Sequence, residues 1–542
     1  MTFIWFWHYI NININYLCRM YKLSCVKFLI ALAAVCPAVL NAQEQPTYTD
    51  LYYNKDLNTT GWSADRYMQN PAAWNVGSPD GEVFDGVVNS PNNNLYINSD
   101  AITKDECLVF GYDANTWNIH NYTANITIVN SRYSVLLVAA EHKLNVGGDM
   151  NITVNSQGGW WSPDVRIYME GGTATSISIE GDFRLVNSTP SPSEDAPGYG
   201  ATGLKFFIGN TNALGGSFEV KGNVILEDLY TSPDWKTNDL ITFATFSPVF
   251  KVGGYVDMTE NRSGTRIWDM LTNTNMEYAV SDISIGGLKG SGALQTMYGL
   301  NGMVNLKFTN SEAFTYTGTY ASRVDSDNTF NVIMDAADAQ NGRQSLYIKE
   351  GGHAEYDGGV VAEAAAISSV TVKNGTLDFA TYDGMVNGNL EISGTGGRLE
   401  ISSLTAGDTG KLAFETATFD RGTIEFTITK LSADKIEISG ALTKSGLGEI
   451  NVEFDVDTYD IREWILASGG DSIEYELITF GSTNMKESDF IAEDLGDGIF
   501  ANLFIRDNAL VAEFTTVPEP AHIAAVFAAA AFALAAARRR RR

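Results

Sequence analysis

The sequence predicts an all-β protein: an elongated right-handed parallel β-helix, or β-solenoid, followed by a single hydrophobic helix at the C-terminus. Three observations carry the prediction. Glycine is plentiful (51) and proline sparse (13) in 542 residues that are 44% hydrophobic, a composition of many strands and turns around a substantial core. A short unit of the form apolar-x-apolar-x-Gly-x-apolar recurs between residues 140 and 290. Helical periodicity is nearly absent, the one alanine-rich candidate being the short run Val360 to Ile367.

The unit first appears as LNVGGDM, Leu144 to Met150, and returns as ISIEGDF, Ile177 to Phe183. FEVKGNV (Phe218 to Val224), FKVGGYV (Phe250 to Val256) and ISIGG (Ile283 to Gly287) follow. Counted from the second glycine, the spacings are 33, 41, 32 and 33; the long interval holds the insertion Ser191 to Gly198. Alternation marks a strand with one buried face, and the glycine permits a bend between two short strands. Further strands are expected at Val165 to Met169, Leu204 to Ile208 and Ile241 to Phe243, giving three per period. One such coil cannot bury its own apolar face, whereas stacked coils close a continuous core. Val370 to Phe379, Leu390 to Ile401 and Ile436 to Gly440 continue the pattern less regularly. Tandem β-sandwiches are the alternative, although a period of 32–33 residues is short for repeated whole domains. The expected organisation is a leader (1–42), an N-terminal β cap (43–100), solenoid repeats (101–470), terminal strands (471–516) and a C-terminal tail (517–542).

The leader reads as a signal peptide. Lys22 and Lys27 form a positive region, Phe28 to Val35 an apolar one, and Ala42 precedes a cleavage point at Gln43. The apolar run is short for a membrane anchor, and Val35 before Cys36 makes a poor lipidation site. Residues 1–19 have no place in this design, so Met20 is the expected start. Cys18, Cys25 and Cys36 go with the leader; Cys107 remains, in the run Cys107 to Phe110, as an expected buried small hydrophobe.

At the other end Val517, Pro518, Glu519 and Pro520 precede the apolar stretch Ala521 to Ala537 and then Arg538, Arg539, Arg540, Arg541 and Arg542. Seventeen helical residues span about 25 Å, marginal for a hydrocarbon core of about 30 Å unless the arginines snorkel. By the positive-inside rule the arginines stay cytoplasmic. These last 26 residues resemble the PEP-CTERM sorting signal: a Pro-Glu-Pro motif, a short hydrophobic helix and an arginine cluster, in that order. The resemblance implies a precursor held in the inner membrane of a Gram-negative-type envelope. There an exosortase, a cysteine transpeptidase, cuts near the motif and releases or transfers the protein to the cell surface. Two segments of the body resemble autotransporter-like β-helix proteins. One is the pair Gly61-Trp62-Ser63 and Ala73-Trp74-Asn75 ahead of a strand at Asn94 to Ile97. The other is the closing segment Tyr475 to Gly481, continued by strands from Asp497 to Phe514. True autotransporters end in a membrane β-barrel in place of the arginine-capped helix, so self-translocation is not implied.

The formal charge is −29, and removing residues 1–42 and 521–542 leaves 28 cations against 65 acids, −37. Such a body repels nucleic acid, whose phosphates require Lys and Arg. His120, His142 and His353 lack a second His or Cys at ligand spacing, which argues against zinc. No nucleophile elbow, phosphate loop or dinucleotide fingerprint occurs in context. No cofactor is expected, calcium being the one ion the acidic pairs suit. Candidates are Asp325 with Asp327, Asp335 with Asp338, Asp455 with Asp457 on alternate strand residues, and Glu493, Asp494 and Asp497. Trp160, Trp161, Tyr230 and Trp235 fall in loop-like segments, where they cap a core or stack on sugars. The function that follows is a structural or adhesin-like surface protein without catalytic activity. Its partners would be signal peptidase, an exosortase, the inner membrane transiently, and extracellular polysaccharide. The alternative is a polysaccharide-binding or polysaccharide-degrading β-helix enzyme.

Overall fold

The computed structural model describes residues 47–53, 71–98, 107–110, 120–130, 133–138, 142–154, 164–169, 175–187, 204–209, 216–228, 241–246, 249–259, 266–270, 280–296, 301–323, 326–351 and 362–516. These residues are mostly β-strand, as the composition predicts, and they contain one α-helix, Thr458–Ser468. Strands fall into a 27-stranded sheet and a nine-stranded sheet among the described residues.

The repeated unit is a pair of strands. Lys143–Val146 and Met150–Val154 flank the first glycine corner, Ser176–Ile179 and Phe183–Asn187 the second, and Ser217–Val220 and Val224–Asp228 the third. Each strand pairs in parallel with its equivalent one unit later, so identical positions stack. Leu144 faces Ile177, which faces Phe218, then Phe250 and Ile283. The same file runs on through Leu306, Val332, Val370 and Leu390 to Ala417 and Leu442. All of these are buried. The inward period-2 positions along this file therefore belong to one core among the described residues, while the alternate positions point away from it.

A second file explains the Gly-Asx dipeptide of the repeat. At each corner the chain turns and an N–H loses its sheet partner; the Asx side chain one unit earlier supplies an acceptor. Asn125 Oδ1 accepts from Asp149 N (2.7 Å), Asp149 Oδ1 from Asp182 N (2.9 Å), Asp182 Oδ1 from Asn223 N (2.8 Å) and Asn223 Oδ1 from Tyr255 N (3.1 Å). The glycine is required because that side chain occupies its Cβ position. A Cβ on Gly181 would lie 2.1 Å from Asp149 Oδ1, and one on Gly222 would lie 2.4 Å from Asp182 Oδ1 and 2.5 Å from the Gly181 carbonyl.

The third strand of each early unit belongs to the nine-stranded sheet. Cys107–Phe110, Tyr133–Val138, Asp164–Met169, Leu204–Gly209, Ile241–Phe246, Arg266–Asp269, Ala293–Thr296 and Thr319–Arg323 pair successively in parallel. Two of them reach the main file: Phe243 lies 5.7 Å from Phe250 and Trp268 5.9 Å from it, centroid to centroid. The sheet ends at Ala362–Ala364, which joins antiparallel. That run is strand where alanine content suggested helix: a short apolar segment is decided by the partner it meets, and Thr319–Arg323 offered an open edge.

Beyond residue 364 the units shorten and contain two strand positions. Ser369–Thr381 pairs along both halves with Val386–Ile401, which pairs onward with Lys411–Phe419 and with Gly422–Thr427; these pair in turn with Lys435–Lys444 and Ile450–Asp455 respectively. Antiparallel pairs stand at both ends of the described body, Thr49–Tyr53 with Trp74–Val76 and the hairpin Ile499–Arg506 with Ala509–Thr516. The helix Thr458–Ser468 was not anticipated. Asp457 caps its N-terminus through the Tyr459 N–H, Gly469 ends it in the left-handed conformation, and Ile461 and Ile465 bury one face. It packs on Ser472–Thr483, Ile499–Arg506 and Ala509–Thr516. Among the described residues no helix is long and apolar enough to cross a membrane; 521–537 lie outside them.

Candidate functional site

Parallel stacking brings distant charges into register on the outer face of the later units. Ser345 faces Asp378, which faces Glu400, then Glu425, then Glu453. Four carboxylates spaced by one strand repeat, about 4.8 Å, would repel strongly without cations between them. Arg343 bridges Asp378 (2.7 Å) and Glu400, and Arg398 bridges Glu400 (3.0 Å), Glu425 and Glu453. Beyond this file Glu493 accepts from Phe454 N (2.5 Å). Burial raises its pKa, with Glu453 adding and the Phe454 N–H and Arg398 opposing.

Asp378 is the centre of this network and is 1% exposed. Arg343, Ser345 Oγ (2.8 Å), Tyr347 Oη (2.6 Å) and Ser402 Oγ (2.6 Å) all donate to it. Four donors fill the acceptor positions of a carboxylate, so this side chain is committed to holding three strands together. Burial, and then the Asp378 carboxylate, push the Tyr347 phenol up, keeping it a neutral donor.

A second buried carboxylate, Asp434, ties two loops together. Gly410 N donates to its Oδ1 (2.5 Å) and Thr427 N to its Oδ2 (2.6 Å). Burial pushes its pKa from 3.8 up to about 6; the Thr427 and Gly410 donors oppose the shift and Asp455 adds to it. These loops border a groove of about 690 Å³ running past three successive units: Thr381 and Asp383, residues 402–411, and Thr429 to Ser432.

The acids nominated by spacing are dispersed. Asp457 is not on a strand with Asp455: the strand ends at Asp455, and Asp457 is spent on the helix cap. Alternation stops where the backbone turns helical, which removes the shared face. Asp335 pairs with Lys307 at 2.5 Å. Asp338 caps a turn through Asn341 Nδ2 and the Gln340 and Asn341 N–H groups, which hold its carboxyl below the usual range. Asp494 accepts from Gly496 N at 3.0 Å, and Asp497 receives the Thr458 hydroxyl at 3.2 Å. Asp327 is exposed, its N–H donating to Asn301 at 3.4 Å, while Asp325 lies outside the described residues. So do His353, Trp62, Trp160, Trp161, Tyr230, Trp235, Ala42, Gln43, Val517 to Pro520 and Arg538 to Arg542. Trp74 is buried beside Tyr53, ring centroids 5.8 Å apart. Among the described residues no group of three or more His, Cys, Asp or Glu is placed to hold a metal ion.

No protein family matches this chain, and no curated protein is similar to it. The carboxylate file and Asp434 were not found by sequence reasoning, because most of their partners are distant in the chain, as Gly410 is from Asp434 (24 residues) and Arg343 from Glu400 (57 residues), and no motif links them.

Proposed function

We propose that this chain is an exported surface protein with a structural or adhesin-like role, carrying a right-handed parallel β-solenoid body and a PEP-CTERM-type sorting tail. The observation that carries the reading is how the last described strand is paired. Ala509–Thr516 is paired antiparallel on both sides, with Ser472–Thr483 and Ile499–Arg506, and its last residue directly precedes Val517. A cut near Val517 to Pro520 would leave every strand pair of the body intact. Parallel register through the body supports a solenoid over tandem sandwiches, which pair antiparallel. The handedness follows from the rule for parallel crossovers. In this reading signal peptidase cleaves after Ala42, an exosortase-type transpeptidase acts at the tail, and the inner membrane holds the precursor transiently through its arginines.

Intact mass and cell fractionation of the native product test the proposal. The expected product lacks residues 1–42 and the tail and is recovered from the cell exterior. Replacing Pro518, Glu519 and Pro520 by alanine should leave the precursor in the inner membrane. An untrimmed chain folded in the cytosol would refute export and sorting together.

A further inference from the structure

We propose that the groove beside Asp434 is a binding site for a segment of neutral polysaccharide. Its position follows from the fold. In the early units a third strand runs between the second strand and the next unit; from residue 364 onward that place is taken by connections, and three of them (381–385, 402–410 and 428–434) line the groove. A site that crosses three stacked units is long in the stacking direction, which suits an extended polymer.

The lining selects the chemistry. Hydroxyls dominate it, among them Ser403, Thr405 and Thr409, and short hydroxyls both donate and accept, as the ligand's own hydroxyls do. Leu431, 91% exposed at the turn of a hairpin, offers an apolar face for ring C–H groups. The hairpin is rigid: Thr429 N donates to the Ser432 carbonyl at 2.8 Å, and Tyr475 Oη donates to the Thr429 carbonyl at 2.9 Å. Thr409 Oγ1 donates to Ser432 Oγ at 3.1 Å, joining the two walls, and Asp434 joins them again from beneath through Gly410. Preformed walls lower the ordering cost of binding. Charge argues for a neutral chain: the lining holds two acids, Asp383 and Asp408, and two cations, Lys411 and Lys430, Lys411 is already paired with Glu437 at 2.9 Å, and the surrounding body is strongly acidic.

The site deepens the surface-protein reading by naming what the body would contact, but its test does not depend on where the protein resides. Full-length chain, purified in detergent, is titrated with malto-, cello- and manno-oligosaccharides and with oligogalacturonate, followed by calorimetry and saturation-transfer NMR. At least one neutral series should bind. Ser403→Trp, which fills the groove, and Leu431→Glu, on a fully solvated turn, should each weaken it tenfold or more with unchanged melting temperature; Lys430→Ala should not. Absence of binding to every neutral series, binding by both groove variants as tight as that of the parent, or binding of oligogalacturonate alone that Lys430→Ala abolishes would each overturn the proposal. Loss of export with retained binding would count against the surface role alone.

Discussion

Residues 120–323 and residues 369–492 stack strands in the same parallel manner but close their cores differently. The early units use three strands, and the third contributes bulky side chains such as Phe243, Trp268 and Tyr320 that meet Phe250 and Phe330. The later units use two strands, an aliphatic-rich interior and connections that lie where the third sheet was. Their outer faces differ as well. Early corners carry a file of Asx side chains serving backbone N–H groups, a neutral-to-acidic device needing no cation. Later outer faces carry a file of carboxylates that two arginines must bridge. A third wall adds bulky apolar contacts to the shared core; where connections replace it, buried polar networks hold the strands and loops in place and the loops line a groove.

The contrast can be broken from either side. Phe250→Ala removes the ring at which the first and third walls of the early region meet and should destabilise it by about 3–5 kcal/mol, read as a lowered denaturant midpoint. A loss below about 1 kcal/mol would mean that the third wall adds little. Asp378→Ala leaves Tyr347, Ser345 and Ser402 without this acceptor and Arg343 with Glu400 alone, and should destabilise the later region by roughly 2–4 kcal/mol. Hydrogen exchange should place that loss in residues 343–402 and spare the early units; uniform loss across the chain would show the two regions to be one cooperative unit.

Asp434 sharpens the comparison through pH. Its folded-state pKa, about 6, lies above the ordinary 3.8, so the folded protein holds this proton more tightly than the unfolded chain does. Its contribution to stability is therefore complete below about pH 3.8 and is lost as pH rises through about 6, a span worth up to about 3 kcal/mol. Asp434→Asn removes that titration. The variant's stability relative to the parent should rise between pH 4 and pH 8 by about 2–3 kcal/mol, measured as denaturant midpoints at both pH values. Parallel pH curves for the two proteins would contradict the assignment.

The β class, the strand positions in the early repeats and the role of the glycine corners were legible because they depend on local alternation and on a period that returns within one unit. Even the 41-residue interval between Gly181 and Gly222 reappears as the offset between Asp182 and Asn223. The short helix escaped because its cues, Asp457 and Gly469, are single residues inside a strand-rich context, and Ala362–Ala364 escaped because its conformation belongs to its partner.

What the sequence by itself determined is which residues face inward and how often the chain turns, both consequences of period-2 alternation and of glycine's missing side chain. Tertiary structure alone decided which outward residues meet. Asp378, Glu400, Glu425 and Glu453 become neighbours only after strands unequally spaced in the sequence pair in register, and Asp434 becomes buried only when the loop at Gly410 closes over it. Burial and neighbouring charge are properties of that stacking, and they are what turn ordinary surface acids into a network and a groove.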